Sequence, residues 1–400
     1  MRKATLALAI AAAAFAAPRP KVRAITAFID VDAQNYTRQI EDATKFLGGV
    51  REQYRAAGWE VETIRIATQP FPQYTKGLSR DAALGVLRGI DSLGAKLQFT
   101  PSIGPAMWND GDSAAAVDLL IEFLAMPGRT NASLITAAED GIHWNAIRQA
   151  ARLIKMVSQR SAHGQGNLNF AAIAMLKPYG PFYPGAYHAG GSRAFSIGVE
   201  GANIVADVFA QDHDPRTAEK KLAAALTQHL SEVEKIAMHA ASGGWTYAGL
   251  DPTPAPLGDV SIGRAIESFI GAPFGSSGTM TAAAVITRAV QSVPVKRVGY
   301  SGLMVPVLED SVLAKRWAEG AYSTDALLAY SAVCAGGLDT IPLPGDITEN
   351  RLTHMLSDVA TLAFKWNKPL AARLLPAPGR KPGERTEFED SRMANTVIHP

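Results

Sequence analysis

From Val22 onward the chain alternates apolar, β-branched runs with amphipathic stretches of helical spacing, and this alternation restricts it to a layered α/β fold. VRAITAFI is followed by a helical pattern over residues 36–57, VETIRIAT by one over 81–93, KLQFT by one over 114–124, and ASLIT by one over 142–157. AAIAML and RAFSIGVE continue the series. Strands joined by helix-length connections run parallel, so the helices should cover the outside of the sheet.

Past Glu200 a long polar helix is predicted over residues 215–239. Asp214 can accept hydrogen bonds from its first free N–H groups, and Pro215 suits its first turn. WTYAGL, LMVPVL, LDTIPL and LAARLL bring the strand candidates to ten, with further helices expected over residues 279–290, 325–333 and 351–364. No internal repeat or low-complexity linker divides the series. The expected organisation is a signal peptide and short linker over residues 1–20, a single α/β barrel domain over 21–375, and an irregular arm over 376–400 rich in Pro, Gly and charge.

Composition agrees with a large buried core, since 47% of the 400 residues are hydrophobic and 19% are charged. The net charge is only +2, and no Lys/Arg cluster alternates with aromatic residues, so no nucleic-acid partner is expected. The lone Cys334 excludes an internal disulfide, a CxxC pair and a thiolate-rich metal site. At the start, Arg2-Lys3, the apolar run 5–15 and Ala14-Phe15-Ala16 read as a secretory signal cleaved near Ala16, which places the mature chain in the periplasm. The alternative is an upstream start or an N-terminal helix on a cytoplasmic protein. No run reaches the roughly 20 apolar residues of a membrane span, so no membrane insertion is expected after signal removal.

Ligands of α/β sheets are met by loops at strand ends. The most unusual such segment is KPYGPFYPGAYHAGG, residues 177–191, with four rings, three prolines and a histidine in fifteen residues. Rigid aromatic rings with hydroxyl handles suit a flat apolar ligand, which makes Phe182 and Tyr183 substrate-binding candidates. His188 and Tyr187 are candidate acid/base groups, with glycines near His188 allowing close approach. Other loop candidates are Trp108 and Glu200. Asp251 lies in LDPTPAPLGD. Gly275, Ser276 and Ser277 precede a predicted helix, where converging N–H groups can steady an oxyanion. Tyr300 and Ser301 lie in KRVGYSGL.

GAPFGSSGT lacks the P-loop lysine, VEGAN lacks GxGxxG, and neither HExxH nor G-x-S-x-G occurs. No metal and no cofactor is therefore expected. Each bland alternative remains open: a packed Tyr/Pro loop with a structural histidine, and a Ser/Thr-capped turn before a helix.

The segments KVRAITAFID, GPFYPGAYHAGG with SIGVEG, LDPTPAPLGD, PFGSSGT, VGYSGLMVPVLED, YSAVCAGGLDTIPLPGD and NKPLAARLLPAPG together resemble the domain of unknown function 711 family, also called uncharacterised protein family 0210. They span nearly all of the chain after Lys21. The resemblance implies a ten-stranded β/α barrel like that of pyruvate formate-lyase, in which two five-stranded parallel halves run antiparallel to each other. It implies no reaction. The stretch Arg297-Val298-Gly299-Tyr300 is similar to the radical-bearing loop of glycyl radical enzymes, but it precedes Cys334, whereas theirs follows the reactive cysteine near the chain end. Radical chemistry is not expected.

The function these features favour is a cofactor-independent lyase that breaks a C–C or C–O bond in a small aromatic alcohol by acid/base chemistry, such as retro-aldol loss of formaldehyde or dehydration. A hydrolase using Glu139, Glu200 or Asp251 to activate water, and a periplasmic binding protein without turnover, are the alternatives. Exposed helices around a barrel are compatible with a homodimer.

Overall fold

Ten strands pair into one sheet: β1 (Lys21–Ile29), β2 (Val61–Thr68), β3 (Thr100–Pro105), β4 (Asn131–Ala138), β5 (Gly141–Ile142), β6 (Phe170–Ala174), β7 (Ala194–Glu200), β8 (Thr246–Asp251), β9 (Gly337–Pro344) and β10 (Leu370–Ala377). These come from a computed structural model that describes residues 19–400, so the expected export signal lies outside the described residues. The spatial order is β8-β7-β1-β2-β3-β4-β6-β10-β9, with β5 paired only to β4. The middle five, β1, β2, β3, β4 and β6, are parallel. On either side lies a parallel pair of opposite direction, β7 with β8 and β10 with β9.

The strand ladder is open between β8 and β9. Residues 296–308 touch both edges: Leu250 N donates to Lys296 O and Val298 N to Leu250 O, while Val307 N donates to Asp339 O. LMVPVL, expected as a strand, is therefore irregular chain, and the tenth strand is instead the two-residue β5. Pro306 has no N–H for a ladder, and only isolated bonds form along this stretch.

Helices form where the periodicity and caps direct. Tyr36–Ala56 buries Ile40, Ala43, Leu47 and Val50 on one face. Pro215–Ala240 starts as expected, with the Asp214 side chain accepting from Arg216 N and Thr217 N. KLQFT is shifted by its context: Lys96 and Leu97 close the helix Arg80–Leu97, Gln98 takes a left-handed cap at φ 59°, and the strand begins at Thr100. These helices pack on the outward strand residues, such as Ile25, Ala27, Ile64 and Ile66, to form the main core. Full burial of such a side chain stabilises by about 1.5–3 kcal/mol.

The inward positions alternate with these and include the polar Thr26, Arg65, Ser102, Ser133, Ser196 and Arg373 beside the apolar Phe28, Ile135 and Ile173. Residues 177–191 cover this inner face, and their backbone is fixed by the strand side chains. Thr26 Oγ1 and Arg65 Nη1 both donate to Pro181 O, at 3.2 and 3.1 Å, and Ser102 Oγ donates to Ala186 O at 2.8 Å. Tyr183 OH donates to Thr100 O at 3.2 Å. The polar inner face thus satisfies loop carbonyls that apolar strands would leave orphaned. The C-terminal arm packs rather than dangles: Trp317 Nε1 donates to Val397 O, Thr396 Oγ1 donates to Ala314 O, and Ile398 is fully buried.

Candidate functional site

The inner face leaves a cavity of about 550 Å³, within the usual range of roughly 300–1,000 Å³ for small-molecule sites. It lies at the amino ends of the middle strands, where Arg23, Thr63, Arg65, Thr100, Asn131 and Ala171 line it. From β9 and β10 come Asp339, Ala371 and Arg373. Phe182, Tyr183 and Pro184 of the aromatic loop form one wall, Tyr300, Met304 and Glu309 another, and Asp390, Arg392 and Met393 of the C-terminal arm a third.

Its charges are arranged in groups. Arg373, buried on β10, bonds both Asp339 and Glu309, the latter at 2.8 Å. Burial opposes ionisation of Glu309, but the Arg373 charge and hydrogen bond outweigh it and hold this carboxyl below its usual range. For Asp339 burial wins over Arg373, with Glu309 adding like charge, and the carboxyl is raised. One guanidinium thus serves two carboxyls. Arg23 Nη1 lies 3.0 Å from both Glu62 Oε2 and Glu200 Oε2. Burial, and then the Glu62 charge, raise the Glu200 carboxyl to about 7 against the pull of Arg23.

Arg65 differs from these. Its Nε donates to Thr63 Oγ1 and its Nη1 to Pro181 O, both at 3.1 Å, and its guanidinium sits 4.8 Å from the centre of the Tyr183 ring. Among the described residues no carboxylate pairs with it. Burial, followed by repulsion from Arg23, lowers it to about 10, so it remains a cation at neutral pH.

Tyr300 is presented to the cavity by a turn that Asp251 anchors. The carboxylate of this fully buried residue, at the end of β8, accepts from Tyr300 N at 2.7 Å, Ser301 N at 3.1 Å, Thr253 N at 3.0 Å and Thr253 Oγ1 at 2.6 Å. Burial lifts the Asp251 carboxyl to about 6 against these bonds. Gly299 adopts φ 71°, and a Cβ there would overlap Asp251 Oδ2, so glycine is required. Tyr300 OH makes no hydrogen bond to a described residue, and burial pushes the phenol far above its usual range. At neutral pH it is a protonated donor on a residue that lines the cavity.

Of the residues expected from sequence, the structure brings Phe182, Tyr183 and Tyr300 into this cavity, with Glu200 beside it through Arg23. Ser301 Oγ donates to Val298 O at 3.0 Å and closes its own turn, and Asp251 is an anchor. Tyr187 OH donates to Leu176 O at 2.7 Å, and its ring meets Trp108 edge-on at 5.2 Å, in the apolar packing behind the cavity. His188 lies toward the carboxyl ends of β1 and β2, where its N–H donates to Thr68 O and its Nε2 is 3.5 Å from Asp30 Oδ1. It is fully buried, neither ring nitrogen makes a hydrogen bond, and burial lowers its proton affinity despite Asp30. Gly275, Ser276 and Ser277 lie in the helix layer: Thr279 Oγ1 accepts from Gly275 N and donates to Ser276 O, and Phe274 packs on Tyr322 and Tyr330. The proposed oxyanion turn and His188 are therefore separated from the aromatic cavity.

Sequence reasoning missed Arg65, Arg373, Asp339 and Glu309. Arg65 and Arg373 carried a signal, a charge inside the apolar runs VETIRIAT and LAARLL, where helix-covered strands are normally apolar on both faces. Among the described residues no group of three or more His, Cys, Asp or Glu side chains is arranged to hold a metal ion, and no helix is long and apolar enough to cross a membrane.

Residues 15–390 match the family described as Uncharacterised ACR (DUF711). The chain is 30% identical over 346 residues to a UPF0210 protein of Pyrobaculum arsenaticum, covering 82% of this chain and 76% of that one. It is also 30% identical over 355 residues to a UPF0210 protein of Desulforudis audaxviator, covering 84% and 78%. A UPF0210 protein of Listeria monocytogenes is 30% identical over 270 residues, covering 64% and 59%.

Proposed function

We propose, for a chain that belongs to the DUF711 family, a cofactor-independent lyase that breaks a C–C or C–O bond in a small aromatic alcohol by acid/base chemistry. The observation that carries this reading is the convergence on one cavity of a free phenol, Tyr300, with the Asp339–Arg373–Glu309 group and the ring wall of Phe182 and Tyr183. The acid/base role expected of His188 passes to these residues in the proposal.

In a retro-aldol step the Asp339 carboxylate takes the proton from a substrate hydroxyl, whose carbon becomes a carbonyl as the adjacent C–C bond breaks. The electron pair of that bond moves into a conjugated acceptor of the substrate, where Tyr300 O–H donates to the developing oxyanion. When the lost group is hydroxymethyl, the small product is formaldehyde. In a dehydration, Asp339 takes a C–H proton and Tyr300 protonates the departing hydroxyl. Glu309 and Arg373 position Asp339 and set its proton affinity.

A panel of aryl alcohols and aldol-type aromatic dimers, assayed for aldehyde release, tests the reading. Turnover that is lost in Tyr300→Phe and Asp339→Asn supports it, and turnover indifferent to both overturns it. Solvent oxygen from labelled water in the product would indicate a hydrolase instead. The finer fold reading, a pyruvate formate-lyase-like barrel, is supported by five parallel strands flanked by two reversed pairs, with residues 296–308 spanning the gap. Export to the periplasm and a homodimeric state complete the proposal, and fractionation and light scattering test them.

A further inference from the structure

We propose that Arg65 is the receptor for a carboxylate on the substrate, so that the molecule taken by this cavity is an aromatic hydroxy acid rather than a neutral aryl alcohol. The inference rests on the reading of the cavity as the reaction site and names the class of molecule that site accepts.

Arg65 is only 8% exposed and lines the cavity. A guanidinium has five N–H donors. Two are used, by Thr63 Oγ1 and Pro181 O, and Nη2 has no protein partner among the described residues. Burying a cation without a counter-charge is costly, and removing one partner of a buried ion pair costs several kcal/mol for the same reason. Arg23 and Arg373 at the same cavity obey this rule, each holding two carboxylates. Arg65 does not, and its missing counter-charge is supplied when an anion binds.

The held geometry suits a carboxylate in particular. Bonds at Nε and Nη1 fix the plane of the guanidinium, and the Tyr183 ring supports it at 4.8 Å. Planar N–H groups left toward the cavity match the oxygens of a planar anion. The adjoining Tyr183 and Phe182 rings then lie where the aromatic part of the same molecule would pack. Anchoring by a charge-assisted bond at one end leaves the hydroxyl-bearing carbon to be placed against Tyr300 and Asp339 at the other.

The test is calorimetric titration of the full chain with 3-phenylpropionate, with its primary amide and with the corresponding alcohol. The expected result is at least tenfold tighter binding of the carboxylate, a preference abolished in Arg65→Met and partly kept in Arg65→Lys, with cooperative melting profiles that show both variants folded. Equal affinity for carboxylate and amide in the unmodified protein, or binding of neither, overturns the proposal, and this comparison does not depend on the folding of any variant. Arg65-dependent carboxylate binding with turnover unaffected by Tyr300→Phe and Asp339→Asn would sustain the carboxylate site and overturn the lyase. Undiminished turnover of an aromatic hydroxy acid by Arg65→Met would sustain the lyase and overturn the carboxylate site.

Discussion

Asp251 Oδ2 accepts a 2.7 Å hydrogen bond from the backbone N–H of Tyr300, so a carboxylate at the end of β8 fixes the place of a phenol in the cavity. The two residues are 49 apart in the chain and no local pattern links them. Because the anchor is buried and accepts four bonds, its loss is both structural and functional.

Asp251→Ala should destabilise the fold by about 3 kcal/mol or more, since it leaves several buried donors unsatisfied. Gly299→Ala should cost about 2 kcal/mol or more, because the new Cβ overlaps Asp251 Oδ2 at a left-handed φ. Urea unfolding measures both, and a change within roughly 0.5 kcal/mol in either would contradict the anchoring role.

Tyr300→Phe removes a hydroxyl that bonds no described residue. Stability should change by less than about 1 kcal/mol. The proposed chemistry should fall by about 10²–10³-fold in kcat with KM little altered, the signature of a donor used in the transition state. Steady-state kinetics beside a thermal melt separates the two effects.

Asp339 acts in the proposal as a base, which works only when ionised. Its carboxyl is raised by burial, so kcat/KM should rise with pH through a limb lying above the ordinary carboxylate range of about 4. Asp339→Asn should remove that limb and lower the rate by about 10²–10⁴-fold. A pH–rate profile that keeps its acid limb in the variant would assign the limb to another group.

Glu200 has a folded-state carboxyl raised to about 7, above its value in the unfolded chain. Between those two values the native state binds more protons than the unfolded one, so its contribution to stability is fully present at low pH and lost as pH rises through about 7. The loss should not exceed about 3 kcal/mol. Glu200→Gln should flatten this part of the stability curve, and denaturation at several pH values between about 4 and 8 measures it.

His188 is buried with both ring nitrogens unbonded and lies apart from the cavity lining. His188→Leu should therefore leave kcat/KM within about threefold. A hundredfold loss of turnover in a folded variant would return the histidine to the mechanism.

Several of these features could be read in the sequence. The helix start at Asp214-Pro215 is local, since a side-chain cap and a fixed φ act within one turn, and it appears at the expected residues. The aromatic loop announced itself by composition, and Phe182 and Tyr183 do line the cavity. His188 and Gly275–Ser277 had the right residue types in the right local settings, but chain direction placed one toward the other end of the middle strands and the other in the helix layer. LMVPVL had the pattern of a strand yet gained no continuous partner, because Pro306 cannot donate and the neighbouring edges offered only isolated bonds.

The sequence by itself determined the α/β layering, the family and the ring-rich loop, because periodicity, capping and composition act over a few residues at a time. Only the tertiary structure decided which charges meet. Arg373 finds Asp339 from the neighbouring strand and Glu309 from an irregular segment, while Arg65 is buried with no carboxylate partner among the described residues. Such pairings depend on strand order, on the direction of each strand and on which face a residue takes, and these are set by long-range packing rather than by neighbours in the chain.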